Sequence, residues 1–229
     1  MRAIVVSPTY NERLNIEPLL MKLRAATASA EILIVDDGSP DGTGDEVRRL
    51  ADGITKVHLL EREGKGGLAS AYVAGFRRAL DMGADIVVQM DADLSHDPAD
   101  VPRLVESGAD LTLGSRYVPG GGTRNWPPHR RALSRFGSAY ARLCLSLPYS
   151  DLTGGFKAWR APLLRDVLAE PVRSEGYVFQ VEMTLRAHRM GASIEEIPII
   201  FTERIHGASK MSMDIALEAA LAVPRLTRG

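Results

Sequence analysis

What this chain has little of narrows it first. Among 229 residues there is one cysteine, Cys144. A disulfide within the chain and a cysteine-based metal site are therefore excluded. Cys144 sits between Leu143 and Leu145, which predicts a buried small residue and not a reactive thiol. No apolar run approaches the roughly 20 residues that a membrane span needs. The best candidate, Ile215 to Val223, is short and contains Glu218. The N-terminus lacks a signal-peptide pattern, and Arg2 to Pro8 reads as a first strand. The expectation is a cytoplasmic protein, peripheral at the cytoplasmic membrane face if it meets a membrane at all. The formal net charge is −1, so nothing global argues for a nucleic-acid partner. Lysine is scarce as well, 5 against 23 arginines, a compositional bias. That bias does not explain a further absence. From Leu111 to Ser150 there is no Asp or Glu, yet there are six arginines: Arg116, Arg124, Arg130, Arg131, Arg135 and Arg142. Positive potential of that kind favours an anionic partner.

With 45% apolar residues the chain can bury a substantial core. Apolar runs alternate with helical patterns. Strands are predicted at Ala3–Val6, Ile32–Val35, Lys56–Leu60, Ile86–Met90 and Leu111–Gly114. Between them, Ile16 to Leu23, Thr43 to Leu50, Leu68–Leu80 and Val101–Glu106 read as helices, with Thr43 and Glu46 forming a capping box. This alternation predicts an α/β fold, a mostly parallel sheet with helices on both faces. The second half is less regular. Val118–Pro128 reads as a loop, Arg130–Leu145 and Gly176–Met190 as helices, and Ser212–Leu226 as a terminal helix. Ile194–Phe201 reads as an edge strand, because Pro198 interrupts it. One domain spanning 1–229 is expected, with no repeat or clear linker.

Ligands of such sheets bind beyond the carboxyl ends of the strands. Three predicted strand ends carry polar residues there: Ser7 to Glu12, Asp36 to Thr43, and Asp91-Ala92-Asp93. Asp91 and Asp93 are one residue apart after the Ile86–Met90 run, so they point the same way. Two carboxylates of that kind suit Mg²⁺ or Mn²⁺ bound together with substrate phosphates. Arg130 and Ser134, four apart, share one helix face, and Arg131 and Arg135 form a parallel pair on a neighbouring stripe. Guanidinium groups offer paired donors to phosphate oxygens, and Arg131 and Arg135 could instead touch lipid headgroups.

Four stretches, taken in order, resemble the inverting nucleotide-sugar glycosyltransferases of the GT-A fold: Pro8-Thr9-Tyr10-Asn11-Glu12, Val35 to Thr43, Gly67 to Tyr72, and Met90 to His96. Four more narrow the resemblance to the dolichol- and polyprenol-phosphate mannose synthases: Gly114 to Tyr117, Asp151 to Phe156, Gly176 to Met183, and Arg204 with Gly207 to Lys210. It covers the chain from about residue 4 to 213. The resemblance implies that Pro8, Tyr10, Glu12, Val35 and Asp37 bind the nucleotide. It implies that Asp91 and Asp93 hold the metal and the sugar diphosphate. Arg116, Arg130 and Ser134 would meet the acceptor phosphate, while Arg204 and Lys210 close over the diphosphate. Ser95 stands where many members have Gln as a further metal ligand. Its hydroxyl reaches less far, so coordination there is either direct or through a water.

The resemblance implies transfer of mannose from GDP-mannose to a polyprenyl or dolichyl monophosphate. Residues 1–115 would form the nucleotide-sugar half and 116–229 the acceptor half. The alternatives are UDP-glucose as donor, a soluble acceptor, or a non-catalytic subunit that binds sugar nucleotide or lipid. The terminal helix is expected either to close the core or to lie on a membrane or a partner membrane protein. Gly64-Lys65-Gly66-Gly67-Leu68-Ala69 imitates a dinucleotide fingerprint, but it follows the third strand and reads as tight helix packing or loop closure near the nucleotide. His96 reads as a turn-stabilising residue, Trp159 as a packing residue, and Trp126 as a contact for an isoprenoid or an interface.

Overall fold

The computed structural model describes residues 1–204 and 221–228. In chain order the strands are β1 (Ala3–Thr9), β2 (Glu31–Asp36), β3 (Val57–Glu61), β4 (Ile86–Gln89), β5 (Leu111–Ser115), β6 (Gly122–Arg124), β7 (Lys157–Arg160), β8 (Ile194–Pro198) and β9 (Ile200–Thr202). Seven of them form one sheet in the order β3-β2-β1-β4-β7-β5-β8. Its pairings are parallel except where β7 lies antiparallel between β4 and β5, with Val88 opposite Ala158 and Thr112 opposite Ala158 on the other side. β6 and β9 pair separately, in parallel.

Strands buried on both faces need apolar side chains at successive positions. β1 supplies them. Ile4 and Val6 join one core with Leu33, Val35, Tyr72, Phe76, Trp159 and Phe179. Val5 joins the other with Ile16, Leu20, Ile34, Val88 and Met90. Helices α3 (Leu68–Asp81), α6 (Ala161–Val167) and α7 (Gly176–Arg189) cover the first face. Helices α1 (Arg13–Ala26), α2 (Thr43–Ala51) and α4 (Val101–Glu106) cover the second. A third, smaller core joins α5 (Pro128–Leu145) to α7 and to Val223 near the C-terminus. Gly75 lets α3 lie close on the sheet. A Cβ there would come within 2.5 Å of Val6 Cγ1 and 2.8 Å of Val35 Cγ2.

The five expected strands of the first half and their intervening helices are present, and α4 has its expected bounds. Pro198 ends β8, which is an edge of the sheet as expected. Four expectations change. The Val118–Pro128 stretch is not all loop, because Gly122–Arg124 finds a partner in β9. The Thr43–Glu46 capping box does not form. Gly42, at φ 83°, is the N-cap, and the Thr43 hydroxyl donates to Asp41 Oδ1 at 2.6 Å. Cys144 is only partly buried, and Leu143 beside it is 81% exposed, so this stretch of α5 does not face a core on every side. The strand β7 and helix α6 had no counterpart in the periodicity. Of the expected helix Ser212–Leu226, residues up to 220 lie outside the described residues. Its described end tucks Val223 into the third core and leaves Leu221 exposed.

Candidate active site

β1, β2 and β4 run parallel, so their carboxyl ends meet at one edge of the sheet. There a cavity of about 300 Å³ opens. Pro8, Tyr10, Glu12 and Asp37 line its β1–β2 side, and Asp91 and Asp93 its centre. Gly155, Tyr177 and Gln180 close the side next to β7 and α7, and Arg204 reaches in from beyond β9. Seven of the residues expected at the site therefore share one cavity. Val35 does not line it. Its side chain is fully buried between β1 and α3, as alternation along β2 requires. Lys210 lies outside the described residues.

The two aspartates are held differently. Asp91 Oδ1 accepts a 2.6 Å hydrogen bond from the Tyr72 hydroxyl, and burial, reinforced by the Asp91 charge, raises the tyrosine well above its ordinary pKa. Asp93 Oδ1 accepts from the Ser95 backbone N–H at 3.0 Å, while Asp93 Oδ2 lies 3.2 Å from Arg204 Nη2. The Ser95 hydroxyl is buried and has no hydrogen-bond partner among the described residues. His96 accepts from the Asp91 N–H through Nδ1 at 3.3 Å and stacks on Phe156. Burial lowers its pKa, which keeps the ring neutral. It is the turn-stabilising residue expected from the sequence. Asp91 and Asp93 offer hard oxygen donors to the cavity that suit Mg²⁺ or Mn²⁺, whereas the buried Ser95 hydroxyl is not part of its lining. Among the described residues no three His, Cys, Asp or Glu side chains form a ready cage.

On the β1–β2 side, Lys65 Nζ stands 4.5 Å from the centre of the Tyr10 ring. Asp37 is buried, accepts from Arg62 Nη1 at 2.5 Å and from the Gly66 N–H at 3.0 Å, and so closes the Gly64–Gly67 loop over the site. Glu12 accepts from Asn15 Nδ2 at 2.6 Å.

The arginine-rich segment is not as free as its composition implied. Arg116 is buried and makes a two-pronged pair with Asp151, Nε to Oδ2 and Nη2 to Oδ1, both at 2.7 Å. Burial pushes Arg116 down and Asp151 up in pKa, but their mutual charge and hydrogen bonds win, so both stay ionised. Arg130 pairs with Glu203 and lies 4.2 Å from the centre of the Trp126 ring. The Ser134 hydroxyl is buried and accepts from the Tyr117 hydroxyl at 2.7 Å. Each of the three expected acceptor residues thus has an internal partner. The carboxylates come from outside the acid-free segment, at 151 and 203, where spacing alone gave no sign of them. Trp126 is 5% exposed and packs edge-on to Phe201, so it is a core residue of this region and not a surface contact. Trp159 is fully buried, as expected. Arg131 donates to Thr123 Oγ1 at 3.1 Å, and Arg135 lies over Tyr117; with Arg116 they line a second, shallower cavity of about 250 Å³.

Four groups were not singled out in the sequence. Tyr72, Tyr177 and Gln180 lie inside the quoted motifs, but neither a helical tyrosine nor a helical glutamine signals a pocket by itself. Glu203 next to Arg204 is the fourth.

Comparison with known proteins agrees with this geometry. Residues 4–168 match the sequence model of "Glycosyl transferase family 2". The chain is 48% identical over 227 residues to an undecaprenyl-phosphate mannosyltransferase of Micrococcus luteus, covering 98% of this chain and 93% of that protein. It is 46% identical over 228 residues to a polyprenol monophosphomannose synthase of Mycolicibacterium smegmatis, covering 97% and 85%. Among solved structures, glucosyl-3-phosphoglycerate synthase of Mycobacterium tuberculosis superposes with a TM-score of 0.68 at 21% identity, over 99% of this chain and 78% of that one. A mannosyltransferase of Pyrobaculum calidifontis, in complex with GDP-Man and Mn²⁺, superposes with 0.65 at 21% identity, over 100% and 64%. At such identity the two structures speak for the fold alone. A family match over most of the chain and relatives nearly half identical end to end establish more: this chain belongs to glycosyl transferase family 2.

Proposed function

We propose that the chain transfers mannose from GDP-mannose to the phosphate of a polyprenyl or dolichyl monophosphate at a membrane surface, with inversion at the anomeric carbon. The observation that carries this reading is the Asp91–Asp93–Arg204 constellation in the cavity at the carboxyl edge of the sheet, in a chain nearly half identical to enzymes named for this transfer. Pro8, Tyr10, Glu12 and Asp37 bind the nucleoside end. Asp91 and Asp93 hold a divalent cation, Mg²⁺ or Mn²⁺. Bound there, the cation offsets the negative charge that grows on the leaving diphosphate.

Arg204 contributes to the same end. It neutralises Asp93 in the absence of donor, and its guanidinium is placed to turn to the diphosphate when that arrives. The attacking oxygen belongs to a phosphate monoester whose second pKa is about 6, so it is already anionic at neutral pH and needs no dedicated base. Its difficulty is repulsion between two anions. Arg130 sits at the start of α5, one residue pair away from Arg204 through Glu203, and supplies positive charge on the acceptor side. Arg116 and Ser134 stand behind it. Their internal partners fix their positions, and Arg116 lends its charge to the region around Tyr177. Arg131 and Arg135 face outward from α5 and suit anionic headgroups or an acidic partner at the membrane. Among the described residues no helix is long and apolar enough to cross a membrane.

The test is direct. Purified protein, radiolabelled GDP-mannose, Mn²⁺ and a polyprenyl phosphate should move label into the organic phase, and UDP-glucose should not replace the donor. Asp93→Ala should abolish transfer by at least about a hundredfold while leaving the thermal transition in place. A fully active Asp93→Ala protein would contradict the proposal.

A further inference from the structure

We infer that Gln180 and Asp91 together read a hydroxyl group of the transferred hexose, Gln180 donating to it and Asp91 accepting from it. This rests on the transferase reading above and adds the contact that recognises the sugar itself.

The orientation of the Gln180 amide follows from a chain of partners. Trp159 is fully buried, and an indole N–H can only donate. It donates to Gln89 Oε1 at 3.4 Å, which turns the Gln89 amide so that its NH₂ faces α7. That NH₂ donates to Gln180 Oε1 at 2.8 Å. Gln180 therefore has its oxygen engaged behind and its NH₂ pointing away from Gln89. The backbone of the same residue is fixed too. Lys157, opposite Gln89 in the β4–β7 ladder, donates from Nζ to the Gln180 carbonyl at 2.8 Å. Gln180 is 3% exposed, lines the cavity, and has no protein partner for Nε2 among the described residues. An amide whose oxygen is engaged behind and whose NH₂ opens toward a cavity suits an acceptor on the ligand.

Gly155 shows where that ligand atom sits. A methyl group on Gly155 would stand 3.5 Å from Gln180 Nε2, 3.4 Å from Asp91 Oδ2 and 3.6 Å from Asp91 Oδ1. Glycine keeps a space open that touches both side chains. Because Tyr72 already donates to Asp91 Oδ1, Oδ2 is the oxygen available there. A donor and a carboxylate side by side match a hydroxyl, which accepts from one and donates to the other. A phosphate oxygen fits the amide but is repelled by the carboxylate. Hydroxyls occur on both the ribose and the hexose. Gly155 and Gln180 lie on the β7–α7 side of Asp91, whereas Pro8, Tyr10 and Asp37 lie on the β1–β2 side. The hexose is the part of the donor that extends beyond the jaw from the nucleoside.

Calorimetric titration of the full chain with GDP and with GDP-mannose, in Mn²⁺, tests this. Gln180→Leu should bind GDP-mannose about tenfold more weakly than the wild type, the usual effect of one lost hydrogen bond, and bind GDP equally well. Gln89→Glu attacks the orientation and leaves Gln180 in place. A carboxylate at 89 accepts from Trp159 and from the Gln180 NH₂, so the amide reverses and presents its oxygen to the cavity. The same selective loss should follow. Gln89→Leu, which introduces no charge, serves where the glutamate variant does not fold, and it should lose part of the discrimination. A Gln180→Leu protein that keeps the wild-type preference for GDP-mannose overturns the inference. So does one that loses GDP in parallel, since that makes the hydroxyl a ribose hydroxyl or the effect merely structural. Wild-type protein that binds no guanosine nucleotide overturns the transferase reading, and the inference with it.

Discussion

Single residues in this fold carry energetic roles that their type does not announce. Lys157 is fully buried, and desolvation lowers its pKa from 10.5 to about 7 despite the Asp151 charge. A neutral amine has two N–H groups, and two acceptors face it, the Gln180 carbonyl and Thr184 Oγ1. Between about pH 7 and 10.5 the unfolded chain binds a proton at this lysine that the folded chain does not. Stability from this group therefore rises with pH across that window, by up to about 1.4 kcal/mol per unit, and the penalty is complete below it. Lys157→Met should remove the dependence. Urea unfolding from pH 6.5 to 9.5 should show the stability difference between variant and wild type shifting toward the wild type as pH rises; parallel curves would disprove the lysine's role. Arg116 and Asp151 illustrate the opposite case, a buried pair that stays charged. Asp151→Ala leaves a buried guanidinium without its carboxylate and should cost about 3–5 kcal/mol in denaturant unfolding. Arg116→Met combined with Asp151→Leu should cost distinctly less, because neither charge is then left alone.

At the scale of elements, close approach and strand pairing decide most of what happens. α3 meets the sheet at Gly75, where a methyl group would collide with Val6 and Val35 on two adjacent strands. Gly75→Ala gains helix propensity of under about 1 kcal/mol but overpacks a junction with no slack, at about 1–3 kcal/mol. The net should be a lower urea midpoint with an unchanged m-value. The first five strands were legible because each is a short apolar run ending in turn residues. β7 was not. Its sequence, Lys157-Ala158-Trp159-Arg160, alternates in no useful way, since a buried lysine and a buried tryptophan share it with Ala158. Insertion between β4 and β5 is a tertiary fact. The same holds for β6, whose Gly122-Thr123-Arg124 becomes a strand only because β9 is there to receive it. Thr43 failed as a cap for a local reason. Asp41 two residues earlier takes its N–H and its hydroxyl, and Gly42 turns the chain into α2.

At the scale of the whole molecule, the cavity at the sheet edge was written in short motifs that each end a strand, so topology alone gathers Pro8, Asp37, Asp91 and Asp93. The arginine-rich segment was legible as charge but not as geometry. Six arginines without a local acid imply an anion, yet Asp151 and Glu203, remote in sequence, meet two of them in the fold. Val35 shows the complementary case, a residue inside a site motif whose side chain faces the core. A substrate test at this scale follows. Transfer rates with short water-soluble polyprenyl phosphates should match those with long ones in detergent, and anionic vesicles should favour the long lipid, if α5 meets the bilayer through Arg131 and Arg135; vesicle charge without effect would argue for a protein partner instead.

Glu203 and Arg204 are consecutive residues just past β9, yet one pairs with Arg130 at the start of α5 and the other with Asp93 in the cavity at the edge of the sheet. The peptide unit between them joins two ion pairs that the proposed function sets on the two substrates. Occupancy of either half that shifts this joint changes the other half's affinity by a factor equal in both directions, because thermodynamic linkage is reciprocal. An enzyme built this way can favour the arrival of its second substrate only to the extent that the second tightens its hold on the first.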